Sequence, residues 1–304
     1  LKSTVTLATV STEFLSRPGL AKITRYTYEL VLLPLLQEYG SWAIDIISRQ
    51  TLIEYLNSLD YLSWTTHHKH QAILQSLFNF AVEQGYIKFN PIHGLKQRKP
   101  SPELGEHRTD AIVKYLTQSQ LKKLYYAVAD DLRMNAIVHL LHRTGCRIAE
   151  LLALNLSDVD TVNCKFQVIG KGNKIRWCFY SQDAADSLEK YLNYSRYKNH
   201  IALFTAQHPA TLKVSRISYR TVHEYWRQLI EPYPELHGVT IHYLRHTFAC
   251  ERVGLVGLEE LRALMGHENI QTTLRYQKVT SQKAEESARK AFNSLLNTSP
   301  YCND

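Results

Sequence analysis

The chain has 304 residues, 44% hydrophobic and 21% charged, which is enough for one large or two ordinary domains with a real core. No run approaches the ~18 apolar residues of a membrane span, and Leu1-Lys2-Ser3-Thr4 opens no basic-then-apolar leader, so a membrane or exported protein is not expected. The net charge of +8 favours a polyanionic partner, of which nucleic acid is the commonest.

That charge is uneven. Residues 1–110 hold 11 Lys and Arg against 10 Asp and Glu, whereas residues 111–304 hold 25 against 18. The five cysteines, Cys146, Cys164, Cys178, Cys250 and Cys302, show no CxxC or other zinc spacing and fit free thiols in a reducing cytosol. A Cys164–Cys178 disulfide across a hairpin is the alternative.

Residues 1–95 read as a small helical domain. Ile23 to Leu36 places apolar side chains at helical spacing, and Thr51 to Leu59 is a short second helix. Thr65 to Gln84 is a third, with Ile73, Leu77, Phe80 and Ala81 on one face and Gly85 as its stop signal. Lys88 to Asp110 changes character: Pro91, Gly94, Pro100, Pro102 and Gly105 punctuate it and no apolar period survives. Residues 96–112 are therefore expected to link two domains. Their basic run is either a solvated cluster or a strap whose Lys96, Arg98 and Lys99 touch DNA phosphates.

Residues 113–304 form the second expected domain, again mostly helical. Cys164 to Ile169 alternates and Ile175 to Tyr180 is aromatic-rich; Gly170-Lys171-Gly172-Asn173 between them predicts a hairpin. Helices are expected at about 183–194, 218–230, 243–253 and 258–265. Beyond Tyr276, residues Ala284, Ala288, Ala291, Phe292, Leu295 and Leu296 make an apolar helical stripe, fit to pack on its own domain or on another protomer. The expected fold class is mainly α, a helical N-terminal domain followed by a mixed, mostly helical domain with a small β-hairpin or sheet.

Several residues stand out as chemistry-bearing. Arg147 opens a helix, where a cation opposes the dipole unless an anion binds there, and Glu150 three residues on can hold its guanidinium. Taken alone this is an ordinary surface ion pair. His242 and Arg245, spaced i and i+3, share a face; an Arg binds phosphoryl oxygens while a His moves protons near neutrality. Lys171 at the hairpin tip, between two glycines, can reach into a groove, with Lys174 as its competitor. His267 follows Gly266 at a helix end, and Tyr276, one of 19 tyrosines, comes nine residues later. A phenol, two histidines and two arginines can attack a phosphodiester without a metal.

The stretches Thr144-Gly145-Cys146-Arg147-Ile148-Ala149-Glu150-Leu151-Leu152, His242-Tyr243-Leu244-Arg245-His246-Thr247-Phe248-Ala249 and Met265-Gly266-His267-Glu268-Asn269-Ile270-Gln271-Thr272-Thr273-Leu274-Arg275-Tyr276 resemble the three signature boxes of the tyrosine recombinase, or phage integrase, family. Arg147, Lys171, His242, Arg245, His267 and Tyr276 fall in that family's order, and the likeness covers about residues 115–280. The resemblance implies a site-specific recombinase whose N-terminal core-binding domain and catalytic domain clamp DNA. Tyr276 would attack a scissile phosphate to form a 3′-phosphotyrosyl ester and expel a 5′-hydroxyl. Arg147 and Arg245 would hold the nonbridging oxygens, with Glu150 orienting Arg147. Lys171 would protonate the leaving oxygen, His242 would assist proton transfer at the tyrosine, and His267 would hydrogen-bond the phosphate. No cofactor, metal or ATP is implied.

The implied partners are a double-stranded recombination site and three further copies, a dimer on each of two sites joined by docking of the C-terminal tail. A cytoplasmic, nucleoid-associated location follows, and the length suggests a simple Xer-like type with no arm-binding domain. Other readings fit less well. A metal-dependent rolling-circle nickase would rest on His68-Lys69-His70, where i, i+2 histidines on a helix point apart. A type IB topoisomerase shares the chemistry but relaxes DNA as a monomer. Loss of Tyr276 or of either arginine would support a DNA-binding protein without catalysis, and all three are present.

Overall fold

The computed structural model describes residues 5–106, 113–170, 174–277 and 288–293. The chain divides into two compact units, residues 1–111 and 112–304.

Among its described residues the first unit contains four α-helices, α1 (Leu7–Ser16), α2 (Lys22–Tyr39), α3 (Arg49–Ser58) and α4 (Trp64–Glu83). The three predicted helices are α2 to α4; α1 was not anticipated. Its Val, Thr and Ser content gives weak helix propensity. It forms because Thr6 caps its N-terminus and Leu7, Val10 and Phe14 are buried in the unit's core. The predicted linker begins inside this unit. Arg98 pairs with Glu106 at 2.9 Å and donates to the Leu62 carbonyl, while the Trp64 indole donates to the Arg98 carbonyl at 2.7 Å. Lys96 and Lys99 are exposed.

The second unit is built around α6 (Leu132–Thr144). Asp131 caps its start, and its interior residues Met134, Ile137, Val138, Leu140 and Leu141 are buried. Around it lie α5 (Gln118–Ala127), α7 (Ile148–Ala153), α8 (Gln182–Tyr194), α9 (Tyr219–Ile230) and α10 (His242–Arg252). Two shorter helices follow, α11 (Leu258–Met265) and α12 (Ile270–Leu274), then a 3₁₀ turn at Arg275–Gln277.

The predicted hairpin is β2 (Lys165–Ile169) against β3 (Ile175–Phe179), with Phe166 facing Cys178 and Val168 facing Arg176. A short β1 (Val159–Asp160) adds a third antiparallel strand. A second hairpin, β4 (Thr205–Gln207) with β5 (Val214–Arg216), escaped the sequence reading because three-residue strands carry no readable alternation. Cys164 lies opposite Tyr180 rather than Cys178, and both thiols are free. Among the described residues no helix is long and apolar enough to cross a membrane.

Two glycines fix how these elements meet. Gly145 ends α6 at φ +62°, and a Cβ there would fall 2.3 Å from the Phe248 ring of α10. Gly266 ends α11, also at φ +62°, and a Cβ would sit 2.8 Å from an Arg176 nitrogen. Each combines a left-handed backbone with close approach of a side chain, which only glycine satisfies.

Candidate active site

The turn after α6 carries Arg147 to the N-terminus of α7, where it is the N-cap residue. Glu150, buried in the first turn, accepts from the Arg147 backbone N–H at 2.8 Å and from its Nη1 at 2.8 Å. The same carboxylate takes two more bonds, from Arg176 Nη2 at 2.7 Å and Nη1 at 3.1 Å. Burial alone would raise the Glu150 pKa, but the bonds from Arg176 and Arg147 outweigh it and hold the carboxyl below its ordinary range.

Arg245 projects from α10 into the interior and is 3% exposed. Its Nη1 donates to the Gly145 carbonyl and its Nη2 to the Met265 carbonyl at 2.6 Å. One guanidinium thus ties the end of α6 to the end of α11. Burial, then the charge of Arg147, pull its pKa down. With Arg147, Arg176 and Arg245 close together and Glu150 their shared carboxylate, the cluster is poised to gain from an anion.

His267 is 8% exposed, and its Nδ1 meets the Thr273 hydroxyl at 2.9 Å. Burial first, then Arg245 and Arg147, push its imidazole down to about 4. It is neutral at pH 7 and able to donate one hydrogen bond. The His267 ring runs parallel to that of Tyr276 at a centroid distance of 6.3 Å. His242 opens α10 at the surface; desolvation and the charges of Arg245 and Arg147 keep it below its usual value.

Tyr276 is only 8% exposed, held in a small core of Phe248, Ala249, Leu261 and Met265. Burial raises its pKa, while the charges of Arg245, Arg275 and Arg147 lower it in part. Its hydroxyl lies 2.8 Å from His246 Nδ1, not against His242, whose ring packs edge-on to His246 at 4.6 Å.

The structure therefore brings Arg147, Glu150, His242, Arg245, His267 and Tyr276 to one place. Lys171 lies outside the described residues. Lys174 is exposed at the hairpin end, 3.8 Å from Glu268. Ala284, Leu295 and Leu296 of the apolar tail also lie outside the described residues, while Ala288, Ala291 and Phe292 are exposed.

Two site residues escaped the sequence reading, and each left a signal. Arg176 shares the inward-facing side of β3 with buried Cys178, and an inward arginine demands a partner. His246 is one helical turn past His242, so the two share a face. Among the described residues no three His, Cys, Asp or Glu side chains are grouped to hold a metal.

The pattern of the phage integrase family matches residues 114–283, and the chain belongs to that family. It is a tyrosine site-specific recombinase of Xer-like type. It is 30% identical over 253 residues to tyrosine recombinase XerD of Rickettsia conorii, covering 74% of this chain and 76% of that one. In fold it is similar to the Tn1549 transposon integrase solved with a circular intermediate DNA, at TM-score 0.74 and 20% identity, over 94% of this chain and 99% of that one. It is also similar to a lambda integrase dimer bound to a core site, at TM-score 0.71 and 16% identity, covering 90% and 96%.

Proposed function

We propose that Tyr276 is the nucleophile of this recombinase and that Arg147, Arg245, His242 and His267 bind the scissile phosphate around it. The observation that carries this is the Tyr276 hydroxyl, buried at the edge of the arginine cluster and hydrogen-bonded to a neutral imidazole. Attack on phosphorus stores the broken bond as a tyrosyl ester, so neither ATP nor a metal is required. The guanidiniums stabilise the charge that grows on the nonbridging oxygens, in a pocket already short of negative charge. Lys171, assigned by the family resemblance, protonates the leaving 5′ oxygen. Glu150 holds Arg147 in place through four hydrogen bonds it shares with Arg176.

The partner is a duplex recombination site, consistent with the net charge of +8 and with the DNA complexes of the similar integrases. Lys96, Lys99 and Lys174 are exposed and available for phosphates; Arg98 would have to leave Glu106 to join them. Integration, excision and dimer resolution all use this chemistry. The test is to incubate the protein with sheared genomic DNA of its source, denature, and recover fragments that remain attached. Attached fragments sharing one junction, formed in EDTA, are expected; a protein that binds DNA tightly yet yields none is not cutting it.

Arg245→Lys keeps the charge but loses the fork that reaches two carbonyls. Cleavage of the recovered site should fall about 10²–10³-fold, while binding changes far less. Unchanged cleavage would remove Arg245 from the site.

Four protomers on two sites would be joined by the segment after Tyr276, whose Phe292 is 63% exposed. Deleting residues beyond Lys283 should weaken pairing of two sites, seen as loss of the slow-migrating complex, more than binding to one. A truncated protein that pairs and recombines normally would rule this docking out.

A further inference from the structure

The side chain that meets the reacting phenol is not one of the family's six. His246 lies on α10, one turn beyond His242 and next to Arg245, and its Nδ1 is 2.8 Å from the Tyr276 oxygen. That is the distance over which a positioned base takes a proton. Resting on the reading of Tyr276 as nucleophile, we propose that His246 is the general base that removes the phenolic proton during cleavage and returns it during rejoining.

The surroundings agree. Tyr276 sits in an apolar pocket that raises its pKa, so attack at neutral pH calls for a base. Burial, then the neighbouring charges of His242, Arg275 and Arg245, push the His246 imidazole down to about 4. It is therefore neutral at pH 7, and Nδ1 can accept the hydroxyl proton. The groups facing this pair are His242, Arg245 and Cys250 from α10, Arg147 at the start of α7, Arg275 from the turn that carries Tyr276, and His267 across the Tyr276 ring. An incoming phosphate adds negative charge among them and favours the imidazolium that the transfer creates. His242 contacts His246 through its ring and stands closer in charge to Arg245 and Arg147, which suits the phosphate side of the reaction.

The step balances. The proton passes from the Tyr276 oxygen to His246 Nδ1, and the oxygen forms its bond to phosphorus. The bond from phosphorus to the 5′ oxygen breaks, and that oxygen takes a proton from a separate acid, the role the resemblance gives to Lys171. Rejoining reverses each transfer.

The test uses suicide duplexes built on the recovered genomic site, with either oxygen or sulfur at the bridging 5′ position. Single-turnover cleavage is measured for the wild type, His246→Gln and Lys171→Ala at several pH values. A sulfur leaving group needs no proton, so it should restore Lys171→Ala. His246→Gln should lose about 10²–10⁴-fold with either duplex and lose the acid-side fall of the wild-type pH profile. Glutamine can still hydrogen-bond the phenol but cannot carry its proton. Near-wild-type cleavage by His246→Gln, or rescue of it by sulfur, overturns the proposal. In the wild-type protein, nitrogen NMR should show His246 Nδ1 without a proton at neutral pH; a protonated Nδ1 contradicts the proposal even if the variant does not fold. Failure of the wild type to form any adduct at Tyr276 would instead overturn the underlying nucleophile assignment.

Discussion

Tyr276→Phe should form no covalent complex with DNA, a loss of at least about 10⁴-fold in cleavage, while folding and site binding persist. The ring keeps its contacts with Phe248, Ala249, Leu261 and Met265, so the local core is unchanged. Only the hydroxyl is lost, with its bond to His246 at 2.8 Å. A net hydrogen bond is worth about 1 kcal/mol, too little to unfold the unit. The check pairs a denaturing gel, which reads the adduct, with a gel shift, which reads binding. An adduct of normal yield from this variant would mean that another residue attacks.

Glu150→Ala should damage both stability and catalysis. The carboxylate is 8% exposed and accepts from the Arg147 backbone, the Arg147 side chain and twice from Arg176. Arg147 is partly exposed and water will serve it, but the Arg176 side chain is only 12% exposed and would be left buried and charged. Removing one member of a buried pair costs about 3 kcal/mol, read as a lower midpoint in urea. Cleavage should fall as well, because Arg147 loses the bonds that aim it. A variant as stable and active as the wild type would show that the carboxylate neither compensates Arg176 nor aims Arg147. The pH dependence has a definite sign. Glu150 is held below its ordinary pKa in the folded state, so its contribution is present above the unfolded carboxyl value of about 4.3 and is lost as pH falls through the folded one.

Much of this site was legible in the sequence because short-range geometry carries it. His242 and Arg245 are three residues apart on a helix, Arg147 and Glu150 likewise, and Gly145 and Gly266 mark the two helix ends that Arg245 bridges. Spacing of that kind survives translation into a fold. The predicted β2–β3 hairpin, helices α2 to α4 and helices α8 to α11 followed from apolar period and breakers for the same reason.

What stayed hidden was set by tertiary partners. Nothing near Arg176 in sequence announces Glu150, 26 residues away, or the bare backbone of Gly266 against which it packs. The proximity of His246 to Tyr276 depends on how α10 meets the turn after α12, a contact 30 residues apart in the chain. The family resemblance implies proton transfer at the tyrosine by His242, the histidine of the motif, whereas the hydrogen bond in the structure belongs to its neighbour one turn on. Arg98 shows the reverse case. Its basic run fits either a solvated cluster or a strap on DNA phosphates, but Arg98 is held by Trp64, Leu62 and Glu106, and no local pattern reveals that.

The central claim is that Tyr276 itself becomes joined to DNA. Adducts recovered from genomic DNA are digested with nuclease and protease, and the peptide carrying the residual nucleotide is sequenced by mass spectrometry. The account predicts a nucleotide attached through its 3′ phosphate to Tyr276, with a free 5′-hydroxyl on the other side of the cut. Attachment at any other residue, or through a 5′ phosphate, would contradict it.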